Sequence, residues 1–80
     1  MPNQKKVLIY STPTCPFCHQ TKDYLKEKEI AFTDFDVASD SVKAQEMIDK
    51  SGQMGVPVLD IEGKIIVGFD KEAIDKELGL

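Results

Sequence analysis

The sequence contains no arginine and no tryptophan, a single histidine and only two cysteines. Without arginine there is no planar fork to clamp a carboxylate or phosphate through paired hydrogen bonds. An anionic ligand must then rely on lysine, on backbone amides or on the start of a helix. The lysines are scattered and the net charge is −4, so no basic stripe forms and no nucleic-acid partner is expected. No apolar run is long enough to span a bilayer, and no membrane partner is expected. The polar stretch 1–6 has no signal-peptide core, which points to a cytoplasmic protein.

The two cysteines lie in Cys15-Pro16-Phe17-Cys18. A bridge there closes a very short loop and removes little entropy from the unfolded chain. It is a poor staple. An 80-residue chain has room for one domain, residues 1–80, which packing alone must stabilise; a hydrophobic content of 41% is enough to attempt it. In a cytosolic chain a lone CxxC suggests redox or metal chemistry rather than a structural bridge. A structural zinc needs four ligands, and beyond the CxxC there is only His19 and no second CxxC, so no metal site is expected.

Strand-like and helix-like segments alternate without linkers or repeats. Lys6-Val7-Leu8-Ile9-Tyr10 is a short apolar run suited to a strand buried on both faces. Pro13 breaks the extended pattern beyond that run, and Pro16 fits the first helical position, where its missing N–H costs nothing. Residues 17–29 read as a helix with Thr21 and Leu25 inward, Tyr24 flanking, and Lys22, Asp23, Lys26, Glu27 and Lys28 on the wet side. Residues 31–37 read as a strand, with Phe35 and Val37 alternating with Asp34 and Asp36. Ser39, Asp40 and Ser41 are candidate caps for a second helix that turns Ala44, Met47, Ile48 and Ser51 inward and stops at Gly52. Residues 56–61 and 64–67 form a hairpin around Glu62-Gly63, and Asp70 caps a last helix carrying Ile74 and Leu78. The order is βαβ followed by αββα. The crossover demands parallel strands and the hairpin antiparallel ones, so the fold is α/β, with a four-stranded mixed sheet and three helices.

The CxxC sits where a strand passes into a helix. Free amides and the helix dipole favour a thiolate at Cys15, and Cys18 comes one turn later on the same edge. Cys15 can attack a disulfide, and Cys18 can then resolve the mixed disulfide. His19 reads as a polar residue on an exposed turn, and Phe17 as a ring lying over the sulfurs. A second element is Gly55-Val56-Pro57. A proline at a strand start, below a CxxC, is expected to be cis and to leave the Val56 backbone free to pair with an extended peptide. A third is Gly68-Phe69-Asp70, where amides at a helix start suit a carboxylate.

Together, Cys-Pro-Phe-Cys, Val-Pro before a strand and Gly-Phe-Asp before the last helix resemble the glutaredoxins, over nearly the whole chain. The resemblance implies a thioredoxin-like fold and a monomer with no tightly bound cofactor. It implies glutathione as co-substrate and disulfide-containing or glutathionylated proteins as partners. By the same likeness Cys15 is the nucleophile and Cys18 the resolving thiol. Thr12, Phe17, Gln53, Val56, Pro57, Gly68, Phe69 and Asp70 match the positions that contact glutathione. The chain departs from the family in having Phe17 for the usual Tyr, Thr12 where Lys is common, and Val67 before Gly68 in place of glycine. It also looks like the glutaredoxin-like redoxins that are reduced by thioredoxin reductase and donate electrons to ribonucleotide reductase. Two further readings are an iron–sulfur carrier sharing a cluster between two Cys15 residues, which Pro16 stiffens against, and a non-catalytic binding module.

Overall fold

In the computed structural model, which describes residues 6–79, the run of β-branched and aromatic residues at Val7–Ser11 forms β1 in the middle of the sheet. The expectations for the polar start and for both limits of the domain touch residues 1–5 and 80, which lie outside the described residues. β1 pairs in parallel with β2 (Thr33–Asp36) and antiparallel with β3 (Val58–Ile61). β3 pairs antiparallel with β4 (Lys64–Val67), giving the order β2-β1-β3-β4. The parallel pair needs a crossover, and α1 (Pro16–Glu27) supplies it. The expected four-stranded mixed sheet with three helices is what forms.

Period-two alternation along the strands sends apolar side chains to both faces. Val7, Ile9, Leu59, Ile61 and Ile66 face Leu25 of α1 and Ile74 of α3 (Lys71–Leu78). On the opposite face Tyr10 and Val58 pack on Met47 of α2 (Ser41–Ser51). Asp40 caps α2 by accepting the Val42 and Lys43 N–H groups at 3.1 Å each, and Gly52 ends it at φ 74°. Asp70 caps α3 by accepting the Ala73 N–H at 3.2 Å. Among the described residues no helix is long and apolar enough to cross a membrane.

Several expected boundaries move inward. The first helix stops at Glu27, because Glu29 takes φ 59° and Ile30 N–H turns back to the Leu25 carbonyl at 2.9 Å. The second strand spans Thr33–Asp36 rather than 31–37, although Val37 N–H still reaches the Ser11 carbonyl at 2.9 Å. The third begins at Val58 rather than Val56, since Pro57 has no N–H for the ladder. The first strand is displaced by one residue, to Val7–Ser11. Glu62 and Gly63 both take positive φ, as a two-residue hairpin with primed geometry requires.

One polar network was not expected. Asp60 is buried within β3 and accepts Lys50 Nζ at 2.7 Å and the Gly63 N–H at 2.7 Å. Lys50 also donates to the Tyr10 hydroxyl at 2.9 Å, and that hydroxyl donates to Glu46. These contacts tie the last turns of α2, and so the loop after it, to the centre of the sheet.

Candidate active site

β1 delivers the chain to a short loop in which Cys15 N–H reaches the Thr12 carbonyl at 3.4 Å. Cys15 is extended (φ −92°, ψ 112°) and is the N-cap of α1, with Pro16 directly after it. Its Sγ accepts the Cys18 N–H at 3.2 Å, so a sulfur takes the position usually held by a Ser, Thr or Asp oxygen. One of the unpaired donors of the first turn is thereby aimed at the sulfur. From the other side the Cys15 thiol donates to the Val56 carbonyl at 3.9 Å, next to the cis Val56-Pro57 bond. That bond has the expected cis geometry.

The two sulfurs differ in access. Cys15 is partly exposed, whereas Cys18 is fully buried. Burial, and then the hydrogen bond to Cys15, raise the Cys18 thiol above its ordinary value. The Thr12 backbone and the Lys22 charge act against that rise. An incoming disulfide can meet Cys15 only, which leaves Cys18 to act within the protein.

The remaining expected site residues fall into three groups. Thr12, Val56, Pro57 and Gly68 join the cysteines through a continuous chain of contacts, closed by Gly68 N–H to the Pro57 carbonyl at 2.8 Å. Gly68 holds φ 80°, a conformation that favours glycine. Phe17 and Gln53 flank this chain. Phe17, two residues after Cys15, is 59% exposed. Gln53 folds back on its own loop, with Nε2 donating to the Gly55 carbonyl at 3.0 Å and Oε1 accepting the Gly55 N–H at 2.6 Å. Phe69 and Asp70 turn their side chains elsewhere. Phe69 packs on Tyr24 with ring centroids 5.8 Å apart, and the Asp70 carboxylate caps α3.

Three further residues matter here. His19 is exposed as expected, but its Nε2 donates to the Pro13 carbonyl at 2.7 Å and pins the loop before Cys15. Lys22 sits at the edge of the wet side, half-buried. Its side chain is only 17% exposed, because Nζ bends to Asp34 Oδ2 at 2.9 Å. Asp34 Oδ1 in turn accepts the buried Ser11 hydroxyl at 2.6 Å. The spacing Cys18 to Lys22, one helical turn, was the available signal. Among the described residues no three His, Cys, Asp or Glu side chains cluster to hold a metal ion.

A mixed sheet flanked by helices on both faces, with an accessible and a buried cysteine at the start of α1, defines a thioredoxin-fold dithiol redox protein. The sequence model of the glutaredoxins matches residues 7–66, and the chain belongs to the glutaredoxin family. It is 57% identical over 70 residues to an uncharacterized glutaredoxin-like 8.6 kDa protein in the rubredoxin operon of Clostridium pasteurianum, covering 88% of this chain and 93% of that protein. It is 37% identical over 75 residues to glutaredoxin 3 of Escherichia coli strain K12, covering 92% and 90%. The solved thioredoxin-like protein BC3987 superposes with a TM-score of 0.86 at 29% identity, covering 91% of this chain and all (100%) of that one.

Proposed function

We propose that the protein reduces protein disulfides and protein–glutathione mixed disulfides, taking its electrons from glutathione and using no tightly bound cofactor. The observation that carries this reading is the arrangement of Cys15: partly exposed, capping α1, and backed by a buried second thiol. In the first step the Cys15 thiolate attacks one sulfur of the substrate disulfide. A Cys15–sulfur bond forms, the substrate S–S bond breaks, and the leaving thiolate departs with the electron pair and takes a proton from water. In the second step Cys18 loses its proton to solvent and attacks Cys15, releasing the reduced substrate and leaving a Cys15–Cys18 disulfide. Two glutathione thiols then return the pair to the dithiol and leave as glutathione disulfide. When the mixed disulfide holds glutathione itself, a second glutathione can resolve it without Cys18.

The Val56 N–H has no partner among the described residues, and an extended peptide can add to this edge. The amides at the start of α3 suit the carboxylate at the other end of glutathione. We take the setting to be the cytoplasm, where the glutathione pool is reducing.

A second reading, a redoxin fed by thioredoxin reductase that supplies ribonucleotide reductase, is favoured by two observations. Gln53 spends its amide on Gly55, and Thr12 offers no cation to a glutathione carboxylate. One assay separates the two: a glutathionylated substrate with glutathione, glutathione reductase and NADPH, against a disulfide substrate with thioredoxin reductase and NADPH. NADPH oxidation in the first mixture supports the glutathione reading. Turnover in the second mixture alone transfers the protein to the other, and silence in both overturns the pair.

A further inference from the structure

We propose that Lys22, anchored by Asp34 and Ser11, is the electrostatic partner of the buried Cys18 sulfur in the resolving step. This rests on the dithiol mechanism above and names a positioning residue within it. Cys18 and Lys22 are four residues apart on α1 and share one face of the helix. A lysine stem normally lets its ammonium reach water. Here the ammonium is turned to Asp34 Oδ2 at 2.9 Å, at an exposed contact that leaves 17% of the lysine side chain open. Ser11 holds the other oxygen of Asp34 at 2.6 Å, and the backbone of the next residue, Thr12, acts on Cys18. The cation is therefore held one helical turn from Cys18 by Asp34 of β2, which Ser11 of β1 holds in turn.

The chemistry gives this placement a use. Once Cys15 is held in a mixed disulfide, Cys18 must become an anion although its side chain is buried. A negative sulfur in such a place is costly, and a fixed cation nearby lowers that cost more than it would in water. Several other titratable groups of the described residues are held elsewhere. Asp75 of α3 pairs with Tyr24, His19 turns to Pro13, and Glu46, Lys50 and Asp60 pair with one another beyond the sheet. Cys15 acts on Cys18 in the opposite sense to Lys22.

The test uses dithiodipyridine, a neutral aromatic disulfide, and records thiopyridone release by stopped flow. Attack by Cys15 releases the first thiopyridone, and attack by Cys18 on the Cys15 mixed disulfide releases the second. In Lys22→Met the pH profile of the second phase should move up by about half to one unit. At a fixed pH on its rising limb that phase then slows roughly three- to tenfold. Lys22→Arg keeps the cation and should keep the profile. Urea midpoints establish that each variant is folded, and Lys22→Gln replaces the methionine variant if that one is not. An unshifted second phase in the folded uncharged variant overturns the proposal, as does an arginine variant shifted equally. If the unaltered protein shows no second phase, the dithiol mechanism itself fails.

Discussion

Exchanging Asp60 for Asn, alone and together with Lys50→Met, isolates the ion pair that ties α2 to the sheet. Asp60 Oδ2 lies 2.7 Å from Lys50 Nζ, and the two side chains are 11% and 30% exposed. A hydrogen bond to a charged group contributes about 1.5–3 kcal/mol when buried. Because Lys50 is partly in water, the lower end applies, and Asp60→Asn should cost about 2 kcal/mol. The amide can still accept the Gly63 N–H, which keeps the loss from growing larger. Lys50→Met leaves a buried carboxylate with the Gly63 N–H as its remaining donor, at a cost of about 2–3 kcal/mol. The double variant should then lose less than the sum of the singles, by about 1 kcal/mol or more. Each 1 kcal/mol corresponds to roughly 4–8 °C in melting temperature for a domain of this size, so the singles are easily resolved.

Urea unfolding of the four proteins gives the coupling energy, and its pH dependence is a second check. Burial pushes the Asp60 carboxyl up, but the Lys50 ammonium and the Gly63 N–H outweigh it and the net displacement is downward. A carboxyl depressed in the folded state adds stability above its unfolded value, near 3.9, and loses it as pH falls through the lower folded value. Lys50 is raised, by its bond to Asp60 and then by Tyr10. Its contribution is complete below the ordinary lysine range and is lost only as pH rises through the higher folded value. The coupling should therefore be flat from about pH 5 to 9 and decline only beyond those limits. A coupling within about 0.3 kcal/mol of zero at neutral pH would refute the reasoning.

Cys15→Ser should abolish reduction of both substrate classes, since no other thiol in the site meets solvent. Cys18→Ser should lose protein-disulfide reduction but keep removal of glutathione from a glutathionylated substrate; loss of both would count against resolution by glutathione. Asp70→Ala removes the acceptor for the Ala73 N–H and should lower stability by about 1 kcal/mol, read as a lower thermal midpoint. A midpoint unmoved by that change would mean that water replaces the cap fully.

Features written in local patterns were legible in the sequence. The spacing of Thr21 and Leu25, the position of Met47 and the placement of Ile74 set the inward faces of the three helices, and all four side chains are buried. Strand-to-helix passage at the CxxC located Cys15 at a helix start, because an extended run before it and a proline after it mark the position of a cap. Ends of elements were less legible, because Glu29 leaves the helical conformation through a backbone turn that its side chain does not advertise. Lys50 and Asp60 escaped notice for a different reason. Each looks ordinary locally, one on a polar helix end and the other inside an apolar run, and only the packing of α2 on β3 brings them together. The type of Lys22 points to water, and only the parallel pairing that brings Asp34 beside β1 gives it a fixed partner at that surface. Gln53 has a polar side chain able to reach either ligand or loop, and the loop holds it.

That a sulfur closes the first turn of α1 means the reacting atom also has a structural task. Every time Cys15 enters a covalent bond with a substrate, the helix exchanges a thiol or thiolate acceptor for a weaker disulfide one. Opening of the first turn is thus linked to chemical state, and exchange of the Cys18 amide proton becomes an internal reporter of whether the enzyme is loaded.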